Sequence, residues 1–119
     1  MSNLYINTIF FVSLLQGITL QSIFDTSGPG NGYDKYVVLE QNMIYTGEVG
    51  VYEGDVFIEG NGAIVDLNEG LGIWVYAEEG YPANLDLEYV TIINGGYNGL
   101  TFNGSSTGNI SNCNFILND

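Results

Sequence analysis

Apolar and polar positions alternate along three strings of this chain. Ala63-Ile64-Val65, Val90-Thr91-Ile92 and Cys113-Asn114-Phe115 lie 27 and then 23 residues apart, each with two apolar side chains flanking a middle residue. The register extends further. At a spacing of 27, Ile58 falls over Leu85, Ile73 over Leu100 and Val75 over Phe102; at 23, Leu87 falls over Ile110. Period 2 within each string predicts a strand with one buried face. Between the strings come Gly60-Asn61-Gly62, Asn68-Glu69-Gly70, Gly95-Gly96-Tyr97-Asn98-Gly99 and Asn103-Gly104-Ser105-Ser106. Gly and Asn tolerate the positive φ that tight corners demand.

Strand and corner repeating every 23 to 27 residues predict the coils of a parallel β-helix, three to four of them over residues 36–119. The four-residue difference between the two spacings is assigned to a loop around Glu78-Glu79-Gly80-Tyr81-Pro82, where Pro82 suits a loop and not a central strand. The competing reading is an antiparallel sandwich, which short strands at close spacing also fit. These apolar pairs kept in register favour the solenoid.

The run Val56-Phe57-Ile58-Glu59-Gly60-Asn61-Gly62-Ala63-Ile64-Val65-Asp66-Leu67 resembles an early coil of the right-handed parallel β-helix proteins of the pectin-lyase-like superfamily. Leu87 to Gly95 and Ile110 to Asn118 are similar to later coils, and Phe115-Ile116-Leu117-Asn118 fits the FxxN pattern of β-helical surface repeats. The resemblance covers residues 36–119 and implies an all-β, right-handed solenoid. It implies no single activity, because that superfamily holds lyases, hydrolases, adhesins and inert surface repeats. Right-handedness also follows the general rule for parallel crossovers.

Residues 1–26 read differently. Ile9-Phe10-Phe11-Val12-Ser13-Leu14-Leu15 is either the apolar region of a secretory signal or a segment capping the open end of the solenoid. No Lys or Arg precedes it, and it is too short to span a bilayer. Residues 27–35, with Ser27-Gly28-Pro29-Gly30-Asn31-Gly32, read as a linker or turn. The final coil has no evident capping element, so the chain is expected to be the N-terminal part of a longer solenoid, to assemble end to end, or to tolerate an open edge.

Charge narrows the functional classes. Fourteen carboxylates face one cation, Lys35, for a net charge of −13. Nucleic-acid binding is excluded by the lack of Lys and Arg, attachment to an anionic membrane is disfavoured, and polyuronates would be repelled. An acidic surface reads as a solvated, highly soluble one, as in secreted or salt-adapted proteins, and a secreted or cell-surface location is expected. No cofactor is expected; the alternative reading of the carboxylates is cation binding, chiefly calcium, which takes six to eight oxygen ligands. The candidate clusters are Glu53, Asp55 and Glu59, and Asp66, Asp86 and Glu88. No calcium-loop motif is present.

No catalytic set is expected. The chain has no His, hence no Ser-His-Asp triad, and no Arg, the proton-abstracting residue that the resemblance implies for polysaccharide lyases. Asp66 and Glu88 are the least poor carboxylate pair for glycoside hydrolysis. Lys35 reads as a surface charge. Cys113, the single cysteine, falls over Val90 and Ala63 and reads as a buried, inert apolar residue. Matches to glycosylation sequons at Asn103 and Asn109 carry no weight in so Asn-rich a chain.

Trp74 and Tyr76 alternate with the inward Ile73 and Val75 and should point outward; Tyr89, beside Val90, should do the same. Such side chains can stack on sugar rings, or pack beneath the loop at 78–83. The expected function is therefore an extracellular, non-catalytic β-helix module, adhesin-like or in contact with a polysaccharide or cell-surface glycan. The alternatives are the N-terminal part of a lyase or glycoside hydrolase whose catalytic residues lie on coils beyond Asp119, and a self-assembling structural repeat.

Overall fold

The computed structural model describes residues 18–118. They form one helix, α1 (Leu20–Thr26), and nine strands: β1 (Lys35–Val38), β2 (Ile44–Thr46), β3 (Val49–Val51), β4 (Gly54–Asp66), β5 (Ile73–Ala77), β6 (Ala83–Ile93), β7 (Leu100–Gly104), β8 (Thr107–Ser111) and β9 (Asn114–Ile116). All named strand pairs are parallel. The architecture is a β-solenoid of about three turns. No helix among the described residues is long and apolar enough to cross a membrane.

Three walls enclose the core. The first stacks β1, the early half of β4, the early half of β6, and β8. The second stacks β2, the late halves of β4 and β6, and β9. The third is the separate sheet β3-β5-β7. Inward side chains form columns from coil to coil, such as Val37-Ile58-Leu87-Ile110, Tyr45-Val65-Ile92-Phe115 and Val51-Val75-Phe102. No polar or charged residue is buried among the described residues, so this core rests on apolar burial and the backbone ladders.

The register corrects one sequence expectation. Ile58 stacks on Leu87, a spacing of 29, and Val56 takes Leu85. The spacing returns to 27 only at Ala63 and Val90. The cause is the corner between the first two walls. Coil two turns it with Gly60-Asn61-Gly62, whereas coil three turns it with Tyr89 alone, whose φ is 54°. A slip of two residues keeps every inward side chain inward, because the side-chain period is two. The four-residue excess is absorbed at this loop: Ala77 pairs with Gly104 and Asn84 with Thr107, so six residues, 78–83, stand where two, 105–106, do in the next coil.

The first coil is closed at its outer end by α1. Thr19 caps the helix by accepting from the Ser22 N–H at 3.1 Å, Thr19 also bridges to Thr46 of β2, and Leu20 is fully buried in the core. The apolar run at 9–15 lies outside the described residues. Lys35 is not a free surface charge. It occupies an inward register position opposite Val56, half-buried, and its ammonium donates to the Phe24 carbonyl at 2.6 Å and the Ser27 carbonyl at 3.1 Å. It also sits 4.5 Å from the centre of the Phe24 ring. A cation at carbonyls that end a helix is favourably placed.

Candidate functional site

Two outward surfaces carry most of the chemistry-bearing side chains. The first is the outside of the third wall. β3 and β5 are in register as Val49 to Ile73, Gly50 to Trp74 and Val51 to Val75, so Gly50 and Trp74 share the outward row. Tyr52 and Tyr76 follow on the next one. Gly50 has no side chain, and the ring of Tyr52 lies across it in direct contact. Trp74 is half-buried, with its indole Nε1–H donating to the Leu71 carbonyl at 2.9 Å. That bond fixes the ring plane.

These rings face an open cleft of about 960 Å³ that takes in Tyr52, Tyr76, Phe24 of α1 and Tyr81 of the 78–82 loop. It adjoins a second one of about 560 Å³, walled by Trp74 and Leu71 and sharing Phe24, Gly50 and Tyr52. Volumes of this order suit small ligands. Charged side chains stand along the cleft: Asp34, Glu53 and Glu78 with Lys35 at the larger part, Asp25 and Glu48 at the smaller. Glu48 accepts from the Leu71 N–H at 2.6 Å, and Asp34 from the Asp55 N–H at 2.8 Å. Sequence reading named Trp74 and Tyr76 as candidates and left Tyr52 and Phe24 unranked. The signal for Tyr52 was available, because it precedes Tyr76 by the same 24 residues that separate Val49 from Ile73. Phe24 arrives by the fold of α1, which no repeat announces.

Tyr89 does not join this strip. It forms the corner between the first and second walls, 53% exposed, while Trp74 and Tyr76 belong to the third. Its outward orientation comes from a left-handed backbone and not from strand alternation.

The second surface is the outside of the first wall. Phe57 stacks on Tyr36, centroids 5.2 Å apart and planes 8° from parallel, and meets Tyr33 at 5.1 Å. The Tyr33 hydroxyl donates to Asp86 at 2.6 Å and the Tyr36 hydroxyl to Glu59 at 2.9 Å. Asp86 also accepts from the Asn109 N–H at 3.0 Å and from the Asn84 side chain at 3.2 Å. Partial burial pushes the Asp86 carboxyl up, but the donors Tyr33, Asn84 and Asn109 outweigh it and hold the group below its ordinary value. The Tyr33 phenol is pushed up to about 12, chiefly by its bond to Asp86 and then by burial and the negative charges around it. Tyr36 is raised for the same reason by Glu59. These bonds pin the 30–36 segment against the first wall.

The weak calcium candidates are thereby divided. Asp86 and Glu88 share the first wall, as their spacing predicts, but Asp66 lies beyond the corner on the second, opposite Ile93. There it accepts from the Asn68 N–H at 2.9 Å and the Asn94 amide at 3.2 Å. Asp55 accepts from Asn84 at 2.7 Å. Among the described residues no group of three or more Asp, Glu, Cys or His is placed to hold a metal ion. The pairing of Asp66 with Glu88 for hydrolysis is split by the same corner.

Cys113 continues the Ala63-Val90 column but is half-buried rather than buried, its thiol 3.2 Å from the Ser111 carbonyl. The coil to which it belongs has no neighbour beyond it among the described residues. Compared with protein-family models, with curated proteins and with solved structures, the chain finds no match.

Proposed function

We propose that this chain is a non-catalytic, carbohydrate-contacting module of a secreted or cell-surface protein, pectin-lyase-like in kind. The observation that carries this reading is the pair of adjoining aromatic clefts on the third wall, with Phe24 and Tyr52 common to both, Tyr76 in the larger and Trp74 in the smaller. Apolar faces of sugar rings pack on such platforms, and carboxylates along the sides accept from sugar hydroxyls. The carboxylates also set the class of glycan. Asp34, Glu53 and Glu78 outnumber Lys35 along the cleft, and the Lys35 ammonium is already held by the Phe24 and Ser27 carbonyls, so neutral chains suit it better than uronate chains. A non-catalytic role is supported by the residue inventory: no His, no Arg, and a single Lys whose ammonium is engaged with the end of α1.

The test is titration of the folded chain with neutral and uronate oligosaccharides. Neutral oligosaccharides should bind. Trp74→Ala and Tyr76→Ala should each weaken that binding by up to about tenfold, the upper end of what one aromatic contact contributes. Tyr89→Ala, outside the cleft, should leave it unchanged. Equal binding by wild type and Trp74→Ala would sink the assignment of the site, and absence of binding to every glycan would sink the reading itself.

A further inference from the structure

The larger cleft on the third wall holds more than rings. Tyr52, Tyr76 and Tyr81 line it together with Asp34, Glu53 and Glu78. Tyr52 and Tyr81 are 63% and 61% exposed, so their rings are accessible to a ligand. The three carboxylates are not equivalent. Asp34 is engaged with the Asp55 N–H. The Glu53 and Glu78 carboxylates accept from no donor among the described residues. Lys35, the one cation at the cleft, is held by the Phe24 and Ser27 carbonyls.

Charge selects among glycans. A sugar hydroxyl gives a carboxylate a neutral donor, whereas an ammonium gives it a charge-assisted bond roughly twice as strong. An ammonium is also drawn to the face of an aromatic ring. The fold makes that contact in this cleft, where the Lys35 Nζ stands 4.5 Å from the centre of the Phe24 ring. A sugar bearing an amine presents both parts at once: an apolar ring face for a tyrosine and an ammonium for a glutamate. The net charge of −13 draws such a chain from solution, just as it repels a uronate.

We propose that the cleft takes a glycan with free amino groups in preference to the same chain in its neutral, N-acetylated form. Glu53 and Glu78 receive the ammonium groups, and Tyr52, Tyr76 and Tyr81 receive the ring faces. The inference rests on the glycan reading and narrows its substrate class. Affinity then falls in the order amino-sugar chain, neutral chain, uronate chain.

The experiment is calorimetric titration of the 119-residue chain with an N-acetylated amino-sugar oligosaccharide and with its N-deacetylated form of equal length. It is run at about pH 6, where amines of this kind are protonated. The deacetylated form should bind about threefold to tenfold more tightly at about 0.02 M salt, as exposed ion pairs acting together would give. That advantage should shrink as salt rises to about 0.15 M. Glu53→Gln combined with Glu78→Gln should bring the ratio of the two affinities towards one. Glu40→Gln combined with Glu69→Gln removes the same charge outside the clefts and should leave the ratio as in wild type. Should the cleft pair fail to fold, Trp74, the single tryptophan, decides in the wild-type chain: its emission should change as the deacetylated form binds, and silent emission would place the binding elsewhere and overturn the proposal. Equal affinity for the two forms, or an advantage that survives loss of Glu53 and Glu78, would overturn the amine preference and leave the glycan reading standing. Binding of neither form would overturn both.

Discussion

At the level of single residues, Tyr89 shows where alternation misleads. It was readable as an exposed aromatic, but not as a corner, because a tyrosine in the left-handed region carries no sequence mark. The same corner in neighbouring coils holds Asn61 and Asn112, at φ 53° and 52°, and Asn enters that region at little cost. Tyr89→Asn should therefore raise the melting temperature, by about 1 kcal/mol in stability, and leave glycan binding unchanged. A lower melting temperature would mean that the exposed ring contributes more than its backbone costs. Tyr33 and Asp86 show a second kind of residue that the sequence hides, since they are 53 positions apart and bonded. Asp86 titrates below its ordinary 3.8, so its contribution is complete above that value and fades as acid takes the pH through the lowered one. Tyr33 titrates near 12 against an ordinary 10.0, so its contribution is complete below 10.0 and fades as the pH passes about 12. Tyr33→Phe should accordingly lower the melting temperature by a constant amount between these limits. The gap from wild type should narrow at either extreme. A gap that ignores pH would show that the hydroxyl works through packing alone.

At the level of elements, the strands were legible because burial forces period 2, and the coil length was legible because columns must align. The two-residue slip before the corner was not, because it preserves the inward face and leaves no trace in the hydrophobic pattern. Ile58 over Leu85 and Ile58 over Leu87 look alike in sequence. They differ in energy. In a double-mutant cycle, Ile58→Val with Leu87→Ala should show coupling of about 0.5 kcal/mol or more, and the cycle with Leu85→Ala distinctly less. Leu87→Ala alone should cost about 2 to 5 kcal/mol, as full burial dictates. Larger coupling to Leu85 would restore the register of uniform spacing. The corner itself depends on Gly60, where an added Cβ would run into the backbone carbonyl of Tyr89 on the coil above. No side-chain motion relieves a clash with backbone, which is why a glycine stands there.

At the level of the whole molecule, an apolar core and a surface of carboxylates act against each other. The core is closed at one end by α1, whose role could be read from sequence only as one of two options for residues 1–26. At the other end of the described residues the inward Phe102, Ile110 and Phe115 are partly exposed. The acidic surface was legible too, with thirteen of the fourteen carboxylates at or before Glu88. Glu59 and Glu88 stand directly opposite each other on adjacent strands of the first wall, and like charges so placed destabilise a sheet. One lysine does not offset them. Salt should therefore stabilise the fold. Raising sodium chloride from about 0.01 M to about 0.15 M shortens the Debye length from about 30 Å to about 8 Å, and the melting temperature should rise with it. Calcium and magnesium chloride at matched ionic strength should give the same curve as each other, because Asp66 is separated from Asp86 and Glu88 by the corner and the screening is nonspecific. A rise confined to calcium, saturating at low concentration, would instead mean that carboxylates on adjacent coils draw together around one ion.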